Sequence, residues 1–334
     1  MLGKVKIVNN HDDNSVYRTL NPDRMLDAVE SVGLRCDGRL LALNSYENRV
    51  YQVGVEDGGF VIAKFYRAER WSDAAILEEH AFAFELVNNE VPVVAPMPFD
   101  GKTLHHFEGF RLALFPRRGG RWPELDDPEV RERIGRAIGR LHAVGSVHPF
   151  DHRPRLAVAP GRAARDFLLA QGWIPAFMVD EYTRLTEGLL AKVDACFAKA
   201  APATLRLHGD CHPGNILWTE AGGHFVDLDD CCLGPAIQDL WMLLSGDRAQ
   251  MTRQLVDILE GYCTFFDFSK AELHLIEALR TLRMLNYSAW LAKRWSDPAF
   301  KLNFPWFGEL RYWEEQLLAL RDQDRLLDEP PLVL

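Results

Sequence analysis

The stretch from Leu205 to Trp218 constrains this chain more than any other. An apolar run, Leu205-Arg206-Leu207, leads into a polar turn, His208-Gly209-Asp210-Cys211-His212-Pro213-Gly214-Asn215, and a second run, Ile216-Leu217-Trp218, leads out. The rigid Pro213-Gly214 step holds the Asp210 carboxylate apart from the Asn215 carboxamide. Shortly afterwards Gly223-His224-Phe225-Val226-Asp227 repeats the arrangement, a short strand that ends in a carboxylate. Asp, Asn and Asp on consecutive loop tips suit a divalent cation held against a polyphosphate. Asn215 and Asp227 are hard oxygen ligands of the kind Mg²⁺ takes, with phosphate oxygens and water completing its octahedron. Asp210 is then the group that orients or deprotonates an incoming hydroxyl. Each of the three alone reads as a turn cap; the set and its spacing point to chemistry.

The neighbours of these residues divide into two kinds. His208 and His212 flank Asp210, but no third His or Cys at suitable spacing supports zinc, so they read as imidazoles that hydrogen-bond loop carbonyls and fix the turn. Asp229 and Asp230 extend the acidic run and stand either as a solvated turn or as additional groups near the metal. Asp239, in Gln238-Asp239-Leu240-Trp241, is either a charge favoured at a helix start or a brace that reaches back to the loop.

The rest of the chain supplies the frame. A helix starts at Leu20-Asn21-Pro22-Asp23 and ends at Gly33. Leu40–Asn44, Arg49–Val55 and Phe60–Tyr66 read as three strands, with a hairpin turn at Asp57-Gly58-Gly59, and so short a spacing implies antiparallel pairing. Ser72–Asn88 is helical by pattern, with Ile76, His80, Phe84 and Val87 recurring at helical spacing. Phe110–Phe115 is a further strand, ended by Pro116 and Gly119-Gly120. From Asp127 onward the pattern is mainly helical, over Val130–Ala143, Arg165–Leu169, Asp180–Lys199, Pro235–Leu244, Arg253–Phe266, Ala271–Arg294 and Trp313–Leu326. The expectation is an α+β architecture with a cleft between its parts: a small antiparallel-β N-lobe over residues 1–115 that binds nucleotide, and a large helical C-lobe over 116–334 that carries the catalytic and metal-binding loops.

Lys64 lies on an otherwise apolar strand ahead of a helix carrying Glu78 and Glu79. Alone it reads as an edge-strand surface residue. Paired with a helix glutamate it becomes a point charge suited to nucleotide phosphates. Glu79 is preferred as the partner because it shares the inward stripe with Ile76 and Phe82, and Glu78 is the alternative.

Composition sets the outer bounds. The 334 residues suffice for two lobes, and a net charge of −10 disfavours a broad nucleic-acid or anionic-membrane surface. Met1–Ser15 has no signal-peptide core, and no apolar run approaches the roughly 20 residues that span a bilayer. These features read as a cytoplasmic protein, by default a monomer. None of the six cysteines forms a matched CxxC pair, so reduced structural thiols are expected, with adjacent Cys231-Cys232 as the one redox-sensitive alternative.

His208-Gly209-Asp210-x-His212-x-Gly214-Asn215-Ile216-Leu217, followed by a strand ending in Asp227, resembles the aminoglycoside-phosphotransferase and choline-kinase branch of the protein-kinase-like fold. A closer match runs through Leu43–Tyr51, Lys64–Trp71, Gln238–Leu244 and Trp295–Phe300, which are similar to bacterial serine/threonine protein kinases of this branch. The resemblance implies a bilobal kinase-like fold, use of ATP and Mg²⁺, autophosphorylation, phosphorylation of protein Ser and Thr, and a role in surviving stress. It implies Asp210 as the catalytic aspartate, Asn215 and Asp227 as the magnesium ligands, Lys64 on the ATP phosphates with Glu79 as its partner, and Phe115 with its neighbours as the hinge that receives adenine.

The chain departs from the wider kinase pattern. No GxGxxG precedes Lys64. Asn44-Ser45-Tyr46-Glu47-Asn48 stands there, so phosphate contact falls to backbone N–H groups or to the Ser45 and Asn48 side chains. Asp227-Leu228-Asp229 replaces a DFG, and no activation segment with an APE signature follows. Two other functions fit the same residues: transfer to a small alcohol or amino alcohol, and nucleotide binding without catalysis.

Overall fold

The computed structural model describes residues 19–43 and 45–334. The polar stretch Met1–Ser15 and Asn44, the last residue of the first expected strand, lie outside the described residues. The chain divides into two compact units, one running to His80 and including Ala95–Arg117, the other made of Ala81–Val94 and Arg118–Leu334. The sequence places the division at Phe115 and Pro116; residues 81–94 group with the later unit.

In the first unit α1 (Pro22–Glu30) starts where Asn21 caps it, the side chain accepting from Arg24 N–H at 2.9 Å with Pro22 at the first helical position. Next come β1 (Cys36–Ala42), β2 (Arg49–Val55), β3 (Phe60–Tyr66), α2 (Asp73–Asn88, of which residues from Ala81 onward group with the second unit), β4 (His105–Phe107) and β5 (Phe110–Pro116). The strands form one antiparallel sheet in the order β1-β2-β3-β5-β4. Met25, Ala28 and Val29 of α1 pack with Val53, Val61, Ala63, Phe65, Leu112 and Leu114 of the sheet. Burial of these side chains is the main stabilising term of this unit. β3 is an interior strand, and Lys64 lies between Val50 and Ala113 in the register. The edge-strand reading of Lys64 therefore fails. On α2 the buried positions are Ala75, Ile76, Glu79, His80, Phe82, Ala83 and Leu86, whereas Val87 is exposed and Phe84 half-buried. The stripe read from the large apolar residues is thus out of phase at its C-terminal end, where small Ala83 and not Phe84 turns inward.

The second unit holds α3 (Pro128–Gly145), α4 (Ala159–Ala170), α5 (Val179–Ala200), β6 (Leu205–Leu207), β7 (Ile216–Thr219), β8 (Gly222–Phe225), β9 (Cys232–Gly234), α6 (Gln238–Trp241), α7 (Arg248–Tyr262), α8 (Ile276–Lys293), α9 (Pro298–Asn303) and α10 (Leu310–Leu326). Leu168, Leu189, Leu190, Val193, Leu285 and Leu320 belong to its main apolar core. β6 pairs with β9, and β7 with β8, each pair antiparallel. The helix expected over Pro235–Leu244 is only the single turn of α6, because Gly246 (φ +86°) breaks the chain and Asp247 opens α7 with a capping box on Gln250. That box also starts α7 five residues before the expected Arg253.

α3 and α7 pack backbone to backbone. A Cβ on Gly135 would lie 1.9 Å from the Ile258 carbonyl oxygen, and one on Gly261 1.9 Å from that of Glu132. Gly135→Ala is expected to lower the unfolding free energy by about 1–3 kcal/mol through overpacking, measurable as a reduced urea midpoint.

Candidate active site

Lys64 and Glu79 meet in the first unit. Lys64 Nζ lies 3.7 Å from Glu79 Oε1 with both side chains buried, and the Tyr66 ring centroid is 5.1 Å from the same ammonium. Glu78 is half-buried and on another face. Beside this pair Tyr66 Oη is 2.8 Å from His80 Nε2, and His80 Nδ1 is 2.9 Å from Thr103 Oγ1, so α2 is fastened to β3 one residue beyond Glu79. Phe115 lies on β5 opposite Ile62, with its ring edge-on to His80. Ser45 is half-buried in the β1–β2 loop. Asn48 is buried, and its side-chain oxygen accepts from Arg67 N–H at 3.1 Å. That bond helps fix the loop, which Arg67 and Arg70 also hold through Glu47 at 3.4 and 3.3 Å.

In the second unit the polar turn is built on β6, whose three residues are all buried. Arg206 reaches Glu85 at 2.6 Å, which pairs its charge inside the fold. After β6 the chain bends at Gly209 (φ +86°), where a Cβ would lie 2.0 Å from the Asp230 carbonyl oxygen, so only glycine fits. The bend is held by Asp239, whose side chain is fully buried. Its Oδ2 accepts from His208 N–H and its Oδ1 from Gly209 N–H, both at 2.8 Å. His142 Nε2 donates to Asp239 Oδ2 at 3.1 Å, and its Nδ1 lies 2.8 Å from Tyr262 Oη. Gln238 Nε2 donates to Gly209 O at 2.8 Å. Asp239 is the brace that the sequence left as one of two readings.

The histidines are scaffolding. His208 Nε2 donates to Val226 O at 2.9 Å while its Nδ1 accepts from Asp210 N–H at 3.4 Å, which fixes one tautomer. His212 Nδ1 accepts from Gly214 N–H at 3.0 Å, turning its Nε2 to 3.5 Å from Asp210 Oδ2. Asp210 Oδ1 accepts from Arg283 Nη1 of α8 at 2.7 Å. Burial acts to raise the Asp210 carboxyl, but the His212 contact and the Arg283 charge outweigh it and hold the group well below the usual carboxylate range. Asp210 is therefore an anion at neutral pH, better suited to orienting a hydroxyl than to keeping its proton.

Asn215 and Asp227 sit at the open end of the β7–β8 hairpin. Ile216 pairs with Phe225, and Val226 N–H donates to Asn215 O at 3.0 Å, so Asn215 stands beside the residue that precedes Asp227. Asn215 Nδ2 donates to Asp210 O at 3.0 Å, which leaves its Oδ1 available to a cation and ties the amide to the Asp210 loop. Asp227 has φ +61°, a left-handed conformation that Asp tolerates better than most residues, and its side chain is exposed. One amide and one carboxylate oxygen fit Mg²⁺, whose other ligands come from phosphate and water. Asp229 is buried, and Arg153 donates to its backbone oxygen and, at 3.0 Å, to that of Cys231. Burial pushes the Cys232 and Cys211 thiols up, which keeps them protonated.

Glu272 is a buried carboxyl that sequence reasoning missed. Its Oε2 accepts from Ile237 N–H at 2.9 Å, just ahead of α6. Burial pushes it up from 4.5 to about 7, against the lowering effect of the Ile237 and Ala236 N–H groups. The folded protein keeps this proton where the unfolded chain has lost it. The stabilisation is complete below about pH 4.5 and is lost as pH rises through about 7, a change on the order of 3 kcal/mol. Urea titrations at pH 5 and pH 8 are expected to show a steeper loss of stability for the wild type than for Glu272→Gln, which cannot ionise.

A sequence profile described as the phosphotransferase enzyme family matches residues 39–276. The chain belongs to the phosphotransferase enzyme family. Over 329 residues this phosphotransferase is 47% identical to stress response kinase A of Salmonella choleraesuis (strain SC-B67), covering 97% of this chain and 98% of that protein. The serine/threonine protein kinase RdoA of Salmonella typhimurium (strain LT2) matches at the same 47% identity and the same coverage. Among solved structures, amicoumacin kinase in complex with AMP-PNP, Ca²⁺ and Ami is similar with a TM-score of 0.70 at 18% identity, over 93% of this chain and 95% of that one. These likenesses bear out the α+β, protein-kinase-like fold expected from the sequence. Among the described residues no helix is long and apolar enough to cross a membrane.

Proposed function

We propose that this phosphotransferase is an ATP- and Mg²⁺-dependent serine/threonine protein kinase that phosphorylates itself and acts in a bacterial stress response. The observation that carries this reading is the 47% identity, over nearly the whole chain, to proteins named stress response kinase A and serine/threonine protein kinase RdoA. The geometry supplies parts for the reaction. Asp210, fixed through Gly209 and Asp239, orients the acceptor hydroxyl. Asn215 and Asp227 would hold Mg²⁺, which when bound would neutralise charge on the transferring phosphoryl group. Lys64, set by Glu79, contacts the ATP phosphates. Ser45 and backbone N–H groups of its loop cover them, with Asn48 shaping that loop, and the β5 backbone near Phe115 receives adenine.

Incubation with γ-labelled ATP and Mg²⁺, with and without an added aminoglycoside or choline, tests the reading. Label on the protein itself that EDTA prevents is expected. Label passing only to the small acceptor would replace the proposal with a small-molecule phosphotransferase.

A further inference from the structure

The loop that carries Asp210 has no cation of its own. From His208 to Trp218 it contains neither Lys nor Arg. The charge beside the carboxylate comes from Arg283, 73 residues further along on α8, with Nη1 2.7 Å from Asp210 Oδ1. The Arg283 side chain is 49% exposed and that of Asp210 24%, so the pair faces solvent at its outer edge. A guanidinium carries five N–H donors, and Asp210 takes one of them. Arg280, one turn earlier, is differently placed: it pairs with Glu277 at 3.2 Å and lies over the Trp241 ring. One turn later come Asn286 and Tyr287, both exposed and neither acidic. A hydroxyl that approaches Asp210 therefore meets a half-exposed cation with donors to spare.

Resting on the protein-kinase reading above, we propose that Arg283 determines the acceptor: it favours a Ser or Thr flanked by acidic residues and disfavours acceptors that carry an amine. A carboxylate next to the acceptor residue can take the free N–H donors bidentately while the hydroxyl turns to Asp210. A lysine or an amino sugar there meets like charge. In the transfer, the acceptor O–H bond and the bond from the γ-phosphorus to the bridging oxygen break. The new bond joins the acceptor oxygen to phosphorus, ADP leaves with the bridging electron pair, and the proton passes by way of Asp210 to water. Arg283 takes no part in bond making; it positions and selects.

The test compares kcat/KM for two synthetic Ser peptides of equal length, one flanked by Glu and one by Lys, together with kanamycin as an amine acceptor. The proteins are the wild type, Arg283→Gln and Arg283→Lys, each assayed in parallel for self-labelling. A wild-type preference for the Glu peptide of about tenfold or more is expected, falling to within about threefold in Arg283→Gln and partly recovered in Arg283→Lys, which keeps the charge without the bidentate fork. A wild type that labels itself but shows no such preference, or an Arg283→Gln variant that keeps it, overturns the inference and leaves the kinase reading standing. A wild type that labels kanamycin and neither itself nor a peptide overturns both.

Discussion

Asp210→Ala is expected to lower the rate of phosphoryl transfer by about 10²–10⁴-fold while ATP still binds. The reason is positional. The carboxylate sits one residue past a glycine whose φ of +86° and close approach to Asp230 fix the chain direction. Asn215 Nδ2 holds its backbone oxygen. Lys64 and Glu79, which belong to the other compact unit, are unchanged by the substitution. Arg283 loses its partner, but it is half exposed and regains water, so the cost to stability is expected to stay below about 1 kcal/mol. Isothermal titration with ATP alongside a labelled-transfer assay separates the two effects. Asp210→Asn is expected to be as poor, because an amide presents N–H donors where the acceptor hydroxyl needs a lone pair. A variant that loses ATP binding together with transfer would place Asp210 in nucleotide binding instead.

Asp239→Ala is expected to be the most destabilising single change at the site, costing about 3–5 kcal/mol and abolishing transfer. Its carboxylate accepts three hydrogen bonds in a fully buried position, from His208 N–H, Gly209 N–H and His142 Nε2. Truncation strands three donors, those of His208 and His142 fully buried, and it releases the bend that positions Asp210. Asp239→Asn keeps the volume but turns an N–H₂ group toward one of those donors, so it too is expected to lower the unfolding midpoint substantially. Urea denaturation of the two variants measures this. A midpoint within error of wild type would mean that the bend is held by Gln238 and the β6–β9 pairing alone.

The turn around Asp210 was legible because its chemistry is local. His208, Asp210, His212 and Asn215 lie within eight consecutive positions, and the apolar runs on either side announce the strands that hold them. Lys64 and Glu79 were legible for a related reason: a lysine in an apolar strand and a glutamate on the inward phase of the next helix leave each other as partners. The phase itself was harder to read, because α2 buries Ala83 and leaves Val87 exposed.

What escaped the sequence is held together across long separations. Arg283 lies in the middle of an ordinary amphipathic helix, and nothing near it in the chain marks it as the counter-charge of a residue 73 positions away. Glu272 looks like one more surface acid, yet the turn before α6 takes its carboxyl inside. Asn48 stands in the place of a glycine-rich loop, which suggests phosphate contact; the bond its side-chain oxygen accepts from Arg67 N–H, 19 positions away, is not announced by the sequence. Sequence spacing says which groups are available; only the fold says which donors have already taken them.

Asp210 is expected to direct transfer of the ATP γ-phosphate to a protein hydroxyl. Mass-spectrometric mapping of phosphorylated residues, after the wild type and Asp210→Ala are incubated with ATP and Mg²⁺, tests it most directly. Phosphate on Ser or Thr of the wild type and none on the variant is the expected result. Equal phosphorylation of both proteins, or none on a wild type that transfers phosphate to a small acceptor, would contradict it.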